Sequence, residues 1–310
     1  MPAVLNQRLS GLIAAACTPF DSTGQINTEP IPSLVDHLIG CGTQGLYVCG
    51  STGEGISLST DERMRVAEAY VAAAKSRVPV LIQVGHNSTA EARRLAQHAA
   101  QIGADAISAT CPSYFKVTDA STLAACMADI ASAADLPFYY YHIPSLTGSA
   151  IDMPEFLGVA GSSIPTLVGL KYTDTKLFEF QACLELDDRR FDVVWGCDEM
   201  LLGALATGTQ AAIGSTYNIA APLYRQIIEA TEQGDLVVAR KLQSCAVGMV
   251  RVMCRYPFHA ALKAVLGRQG FPIGACRLPL RNLSAQQETS LFADLDAIGF
   301  FDWSNSSTMP

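Results

Sequence analysis

Lys171 is the residue in this 310-residue sequence that is best placed to do covalent chemistry. It follows the apolar segment 167–170, which has the pattern of a buried strand, and it precedes the polar segment 172–175. Burial disfavours a charged ammonium, so a lysine in this position can present a free amine that attacks a carbonyl group. The alternative is a strand-end lysine paired with a carboxylate, and position alone leaves both interpretations open.

Lys263 is the one rival to Lys171. The segment 259–266 has a helical pattern, and a lysine on such a helix can extend its side chain and keep its ammonium in water. We therefore expect Lys263 to be hydrated. The remaining lysines lie in polar, helix-like surroundings or after a loop, and they are Lys75, Lys116, Lys176 and Lys241.

The elements that position Lys171 alternate regularly along the chain up to residue 233. Short apolar segments predict strands at 12–17, 45–49, 80–84, 106–109, 138–141, 167–170, 193–195 and 211–213. Helical patterns follow at 30–41, 60–76, 89–102, 119–134, 153–160, 175–186, 198–207 and 220–233. Eight strands that are each followed by a helix predict a (β/α)₈ or TIM barrel of parallel strands, because the segments are too apolar for one-sided antiparallel strands.

The alternation stops after residue 233. Residues 1–233 are predicted to form the barrel and catalytic domain, and residues 234–310 a C-terminal helical extension. Its patterns predict about three helices, at 235–254, 257–266 and 284–298. The final segment 303–310 is predicted to be a frayed tail. No linker rich in Gly, Pro or Ser separates the two parts, so we expect them to pack as one unit.

Composition and charge exclude several classes of partner. With 49% hydrophobic and 16% charged residues, the chain has the make-up of a compact enzyme core. The net charge of −8 argues against binding to nucleic acid or to anionic membranes, which require a basic face. We expect the partner to be a small-molecule substrate.

The ten cysteines form no Cys-x-x-Cys pair and show no zinc-ligand spacing, so no metal site is expected. Free thiols in apolar segments indicate a reducing compartment. The first residues lack the pattern of a signal peptide, and no apolar run approaches the roughly 18 residues that a membrane span needs. These features predict a soluble, cytoplasmic protein.

Polar residues follow the predicted strands where their carboxyl ends must meet. In a parallel barrel, side chains at these ends converge on one mouth, and catalytic sites lie there. Besides Lys171, the strand ends contribute Ser51, Thr52, Tyr141, Thr173, Gly196, Asp198, Glu199 and Ser215.

The segment 50–55, called the glycine loop below, reads Gly-Ser-Thr-Gly-Glu-Gly. It lacks the glycine order of a dinucleotide loop and the lysine of a phosphate loop. Exposed backbone N–H groups together with the hydroxyls of Ser51 and Thr52 suit a single carboxylate. The alternative is a tight turn that requires glycine.

Alternation along the fifth strand places Tyr139 and Tyr141 inside the barrel and Tyr140 against the helices. Tyr141 can then exchange a proton with a substrate hydroxyl near Lys171, although a core tyrosine is the alternative. His142 faces outward, and we expect it to be hydrogen-bonded outside the site. His86, after the third strand, has no assigned role.

The amine of Lys171, the phenol of Tyr141 and the carboxylate-binding glycine loop together predict a Schiff-base aldolase. The carboxylate of a 2-oxo acid would bind at Ser51 and Thr52 while its ketone condenses with Lys171. The iminium then acts as an electron sink for C–C cleavage, and Tyr141 takes the proton of the hydroxyl that becomes an aldehyde.

Three motifs resemble those of one enzyme family: Gly50-Ser-Thr-Gly-Glu54, Tyr141-x-Ile-Pro-x-x-Thr-Gly148 and Gly169-x-Lys171-x-Thr173. They resemble the pyruvate-dependent class I aldolases related to N-acetylneuraminate lyase and dihydrodipicolinate synthase, over essentially the whole chain. The resemblance implies that Lys171 forms the Schiff base, that Tyr141 shuttles the proton and that Thr173 lies near the reacting centre. It also implies that no external cofactor is needed and that the protein is a homotetramer.

The resemblance also bears on the substrate. Dihydrodipicolinate synthases usually carry an arginine at the position of Leu146, which cannot bind a carboxylate, so synthase activity is not expected. Similarity to the lyase branch implies that a sugar-acid tail is held by Gly196, Asp198, Glu199 and Ser215. The implied reaction cleaves N-acetylneuraminate to N-acetyl-D-mannosamine and pyruvate. The alternatives are an aldolase or dehydratase acting on another 2-keto-3-deoxy sugar acid, and a non-catalytic sugar-acid binding protein on the same scaffold.

Overall fold

The computed structural model describes residues 8–304. Eight parallel strands close into a barrel in the order β1 to β8, and β1 pairs with both β2 and β8. This architecture confirms the predicted (β/α)₈ barrel. The strands are β1 Gly11–Ala15, β2 Gly45–Val48, β3 Val80–Gln83, β4 Ala106–Ala109, β5 Phe138–His142, β6 Leu167–Tyr172, β7 Asp192–Trp195 and β8 Ala211–Gly214.

Helices cover the outside of the barrel. Those between or directly after the strands are α1 Ile31–Gly40, α2 Thr60–Ala74, α3 Thr89–Gln101, α4 Ala120–Ala131, α5 Pro144–Thr147, α6 Met153–Ser163, α7 Leu177–Arg189, α8 Leu201–Thr207 and α9 Tyr217–Glu232. Helix α2 begins with the predicted capping box, in which Ser59 and Glu62 each bond to the other's backbone N–H. The four-residue α5 was not predicted, because a single turn is too short to show helical periodicity.

Side chains alternate between the barrel interior and the helix layer. Tyr139 and Tyr141 belong to the apolar cluster inside the barrel, together with Tyr47 of β2. Tyr140 and Tyr172 belong to the cluster between strands and helices. The predicted inward and outward faces of β5 are therefore confirmed.

Up to residue 304, where the described part of the chain ends, four helices follow the barrel: α10 Leu236–Met253, α11 Phe258–Arg268, α12 Ala285–Ala297 and α13 Phe300–Trp303. Helix α10 packs along α9, and α11 contacts both α9 and α12. The expectation of about three helices missed α13. The prediction of a frayed tail from residue 303 is wrong for its first two residues, since Trp303 and Ser304 are buried. The rest of that predicted tail, 305–310, lies outside the described residues. The domain division at residue 233 stays a prediction.

No helix among residues 8–304 has the length and apolar character to cross a lipid bilayer.

Strands β6 and β7 approach each other closely at Gly169, which lies opposite Asp192 in the barrel register. A Cβ atom at Gly169 would lie 1.8 Å from the carbonyl oxygen of Asp192. Backbone atoms of a closed barrel cannot move aside independently, so this position accepts only glycine. It lies two residues before Lys171 and so fixes the strand that carries the amine.

We predict that Gly169→Ala lowers the free energy of unfolding by about 3 kcal/mol or more, because the added methyl forces the two strands apart. Gly158→Ala is the matched control: Gly158 lies in α6, and a Cβ added there would extend into open space, with no neighbouring element within 4 Å. That change should leave stability equal or raise it by up to about 1 kcal/mol. Urea unfolding monitored by circular dichroism measures both, and equal stability of the two variants would contradict the prediction.

Candidate active site

Lys171 lies near the end of β6, between Tyr141 of β5 and Val194 of β7. It is 4% exposed, and its Nζ lies 4.0 Å from the ring centroid of Tyr141 and 4.4 Å from that of Tyr47. Within residues 8–304, Lys171 forms no ion pair, whereas Lys176 pairs with two carboxylates and Lys263 with one. The buried amine is thus flanked by two aromatic rings, and no carboxylate of the described residues forms an ion pair with it.

Lys263 is buried, and the expectation that its ammonium is hydrated is wrong. Its Nζ lies 2.6 Å from Oε1 of Glu54, and the two side chains are 4% and 0% exposed. The helical pattern around Lys263 was right, but no local pattern could identify a carboxylate in the glycine loop as its partner. A lysine engaged in this way is not a free nucleophile.

The phenol of Tyr141 faces the glycine loop. Its hydroxyl lies 3.4 Å from Oγ of Ser51. Next to Ser51 in the same loop, the hydroxyl of Thr52 lies 2.7 Å from that of Ser215 and joins the loops after β2 and β8. The structure thus brings the predicted amine, phenol and loop hydroxyls to one mouth.

Tyr47 is part of the site and was not predicted. Its ring packs edge-on against Tyr141, with centroids 5.6 Å apart, and its hydroxyl donates to Oγ of Ser108. Burial raises the pKa of Tyr47, so it stays a neutral phenol. The same alternation that assigned Tyr141 to the interior also applies to β2 and could have identified Tyr47.

The residues after β7 and β8 form the second half of the mouth. Gly196 lies against Thr173, since a Cβ at this glycine would lie 2.0 Å from the threonine hydroxyl oxygen. Asp198 is buried and begins a short 3-10 helix, Asp198–Met200. Its neighbour Glu199 is exposed at the rim.

The carboxyl of Asp198 is held by Thr216. Its Oδ2 accepts hydrogen bonds from the backbone N–H of Thr216 at 2.8 Å and from the hydroxyl at 2.6 Å. Burial raises its pKa to about 6, although the two hydrogen bonds from Thr216 favour the ionised form. The site therefore contains a carboxyl that gains or loses its proton near neutrality.

A cavity of about 230 Å³ adjoins Ser51 and extends toward Leu146 and His86. His86 lines this cavity and accepts the backbone N–H of Ser88 at Nδ1. Tyr114, on the loop beside it, is exposed. Leu146 is exposed on α5 and lines the cavity. The cavity therefore has an apolar side chain at the position where an arginine would place a positive charge.

His142 lies outside the barrel, as predicted, but the expectation that it is hydrogen-bonded is wrong. Both ring nitrogens are buried, and neither has a hydrogen-bond partner within residues 8–304. The ring packs 5.2 Å from that of Tyr172, and burial lowers the pKa of His142 to about 4. It therefore acts as a neutral packing residue. Cys197, which follows β7, is a protonated thiol whose pKa burial raises to about 12.

No group of three or more His, Cys, Asp or Glu side chains in the described part of the chain is arranged to hold a metal ion.

The chain is similar to known proteins over almost its full length. A family model described as the dihydrodipicolinate synthetase family matches residues 8–298. N-acetylneuraminate lyase of Homo sapiens is 39% identical over 305 residues, which are 96% of this chain and 95% of that protein. N-acetylneuraminate lyase A of Xenopus laevis is 41% identical over 283 residues, or 90% of this chain and 92% of that protein.

Solved structures agree with these relatives. N-acetylneuraminate lyase of Proteus mirabilis superposes with a TM-score of 0.92 at 39% identity, covering 95% of this chain and 100% of that one. N-acetylneuraminate lyase (sialic acid aldolase) of Aliivibrio salmonicida also gives a TM-score of 0.92, at 40% identity, covering 95% and 98%.

The titration of Asp198 generates a stability prediction. Burial raises the pKa of Asp198 from 3.8 to about 6 in the native state. Protonation of this carboxyl therefore stabilises the native state fully below the pKa of the unfolded chain, and this stabilisation is lost as the pH rises through the pKa of the native state. The Asp198→Asn variant has no ionisable group at this position, so it does not lose stability in this way. The difference in unfolding free energy between the variant and the parent should therefore grow in the variant's favour by about 2 kcal/mol from about pH 4 to about pH 7.

Urea unfolding of both proteins across this pH range measures the difference. Other carboxyl groups titrate in both proteins and cancel. Two curves that run parallel at all pH values would mean that Asp198 titrates normally.

Proposed function

This chain belongs to the dihydrodipicolinate synthetase family, and we propose that it is a Schiff-base aldolase, a lyase that cleaves N-acetylneuraminate to N-acetyl-D-mannosamine and pyruvate. The observation that carries the proposal is the buried Lys171 amine, placed between two tyrosine rings without a carboxylate partner in the described residues. The lyases named above, similar over nearly the whole chain, support the sialic acid as substrate.

The reaction begins at the C2 ketone of the open-chain sugar acid. The amine of Lys171 adds to C2, water leaves and a protonated imine remains. The substrate carboxylate is held by the glycine loop, through Ser51 and Thr52. The lysine itself supplies the electron sink, so the chemistry needs no external cofactor.

Cleavage of the C3–C4 bond sends its electron pair into the iminium and gives an enamine of pyruvate. The C4 hydroxyl loses its proton to Tyr141 as C4 becomes the aldehyde of N-acetylmannosamine. Tyr141 is a relay: its own proton passes on along Ser51 Oγ, 3.4 Å away, toward the enamine carbon. No net charge accumulates on the phenol. Water then hydrolyses the imine and releases pyruvate and Lys171.

We assign the hydroxylated tail of the substrate to the residues that follow β7 and β8. Asp198 and Glu199 accept hydrogen bonds from hydroxyl groups, and Ser215 can donate or accept. The backbone at Gly196 and the hydroxyl of Thr173 lie against each other and would line the path between tail and reacting carbon. Two carboxyl groups here favour a polyol over a second carboxylate.

We extend the proposal to the setting of the enzyme. All ten cysteines are free thiols in the structure, which supports a reducing, cytoplasmic location. A homotetramer is the proposed assembly. Exposed apolar side chains around the mouth, Tyr114, Phe115 and Leu146, support burial against other copies of the chain.

The Schiff base can be trapped. Incubation with pyruvate and borohydride should reduce the imine and add a stable, pyruvate-derived mass to the peptide that contains Lys171. Lys171→Met is the matched control and should acquire no adduct on that peptide while its circular dichroism stays native. Peptide mass spectrometry reads the result. An unmodified Lys171 peptide in the parent protein would end the aldolase proposal.

A coupled assay that compares turnover of N-acetylneuraminate with that of 2-keto-3-deoxygluconate then identifies which sugar acid is the substrate.

Loss of the Tyr141 hydroxyl should slow cleavage without preventing imine formation. We expect Tyr141→Phe to lower kcat by about 10²-fold or more, because proton transfer in the transition state is lost. Tyr140→Phe is the control, since Tyr140 is equally buried on the same strand but faces the helices. Its kcat should stay within about threefold of the parent. Equal kcat values for the two variants would exclude the assigned relay.

A further inference from the structure

Helix α11 contacts the glycine loop at two points on one face. His259 and Lys263 are four residues apart and therefore point the same way from the helix. Nε2 of His259 lies 3.1 Å from the carbonyl oxygen of Ser51. Nζ of Lys263 lies 2.6 Å from Oε1 of Glu54. A helix of the C-terminal extension thus holds both the start and the end of the loop.

The ion pair between Glu54 and Lys263 is buried, with the two side chains 0% and 4% exposed. Lys263 also donates to the carbonyl oxygen of Ala275, and its nitrogen lies 4.3 Å from the ring centroid of Phe20. The second carboxylate oxygen of Glu54 accepts the backbone N–H of Arg277 at 2.8 Å. Each oxygen of this carboxylate therefore contacts the C-terminal part of the chain.

The backbone of the glycine loop depends on this contact. Glu54 has a left-handed conformation, with φ of 56°, which residues other than glycine rarely adopt. Its backbone N–H bonds to the carbonyl oxygen of Ser51, the same oxygen that faces His259. The conformation of Glu54 thus helps to determine where Ser51 and Thr52 present their N–H and hydroxyl groups.

We propose that Lys263 and His259 are positioning residues for the carboxylate of the substrate. The inference rests on the proposed function, in which Ser51 and Thr52 bind that carboxylate. Lys263 acts through Glu54, and His259 acts through the Ser51 carbonyl. The C-terminal helices are in this way part of the substrate-binding machinery and not only an appendage to the barrel.

Stability alone is a poor reason for this ion pair. Two charges buried together lose their hydration, and replacing both with uncharged side chains of similar size is often neutral for folding. Removing one partner leaves an unpaired buried charge, which is far more damaging. The double variant Glu54→Gln with Lys263→Met therefore tests the positioning role in a folded protein.

We expect this double variant to raise KM for N-acetylneuraminate, and the Kd for pyruvate, by about tenfold, with kcat at saturation within about threefold of the parent. Tyr256→Phe is the control: it removes a 2.6 Å hydrogen bond to Asp294 within the C-terminal part without touching the glycine loop, and should leave KM unchanged. Steady-state kinetics and the urea unfolding midpoint are measured together.

A second pair of variants addresses the other contact. His259→Leu removes the ring nitrogen and should raise KM by about threefold or more, whereas His259→Gln, which retains an N–H donor, should restore most of the loss. His259 is only partly buried, so these variants keep the result decisive if the double variant fails to fold.

Unchanged KM in the folded double variant, or in His259→Leu if the double variant does not fold, overturns the positioning role. Pyruvate trapping on the parent protein separates this failure from that of the proposed function. An adduct on the parent with unchanged KM in the variants overturns only the positioning role, whereas no adduct on the parent overturns both.

Discussion

The active-site architecture depends on the alternation of side chains in a closed parallel barrel. Because successive residues of a strand point to opposite faces, only every second residue reaches the interior, and only the last of these reach the mouth. Lys171, Tyr141 and Tyr47 satisfy both conditions on three different strands. Their meeting needs no special loop, since barrel closure and strand register bring them within contact distance.

Enclosure gives these groups their chemical character. Tyrosine rings line the amine, while Asp198 is buried deeply enough for its pKa to rise to about 6. The glycine loop supplies N–H groups and hydroxyls next to the Tyr141 phenol. The proposed aldolase chemistry uses this combination: an amine that forms the imine, a phenol that relays a proton, and fixed donors that orient a carboxylate.

Local patterns in the sequence were sufficient to predict the barrel and much of the mouth. Each strand and the longer helices carry their own periodicity, and alternation assigned Tyr139, Tyr140 and Tyr141 to their faces. Features that depend on distant contacts were missed. Lys263 has a helical pattern that says nothing about Glu54. His142 packs among rings, and its ring nitrogens have no hydrogen-bond partner among residues 8–304. Four-residue helices such as α13 are too short to leave a periodic signal.

The enclosed pair of Glu54 and Lys263 has an evolutionary consequence. Substitution of either residue alone would leave an unpaired charge in the interior and destabilise the protein. A change at one position is therefore tolerated only when the other position changes as well. The two positions should accordingly covary among descendants of this chain. The barrel and the segment that follows it would then be inherited as a matched set, which disfavours recombination between them.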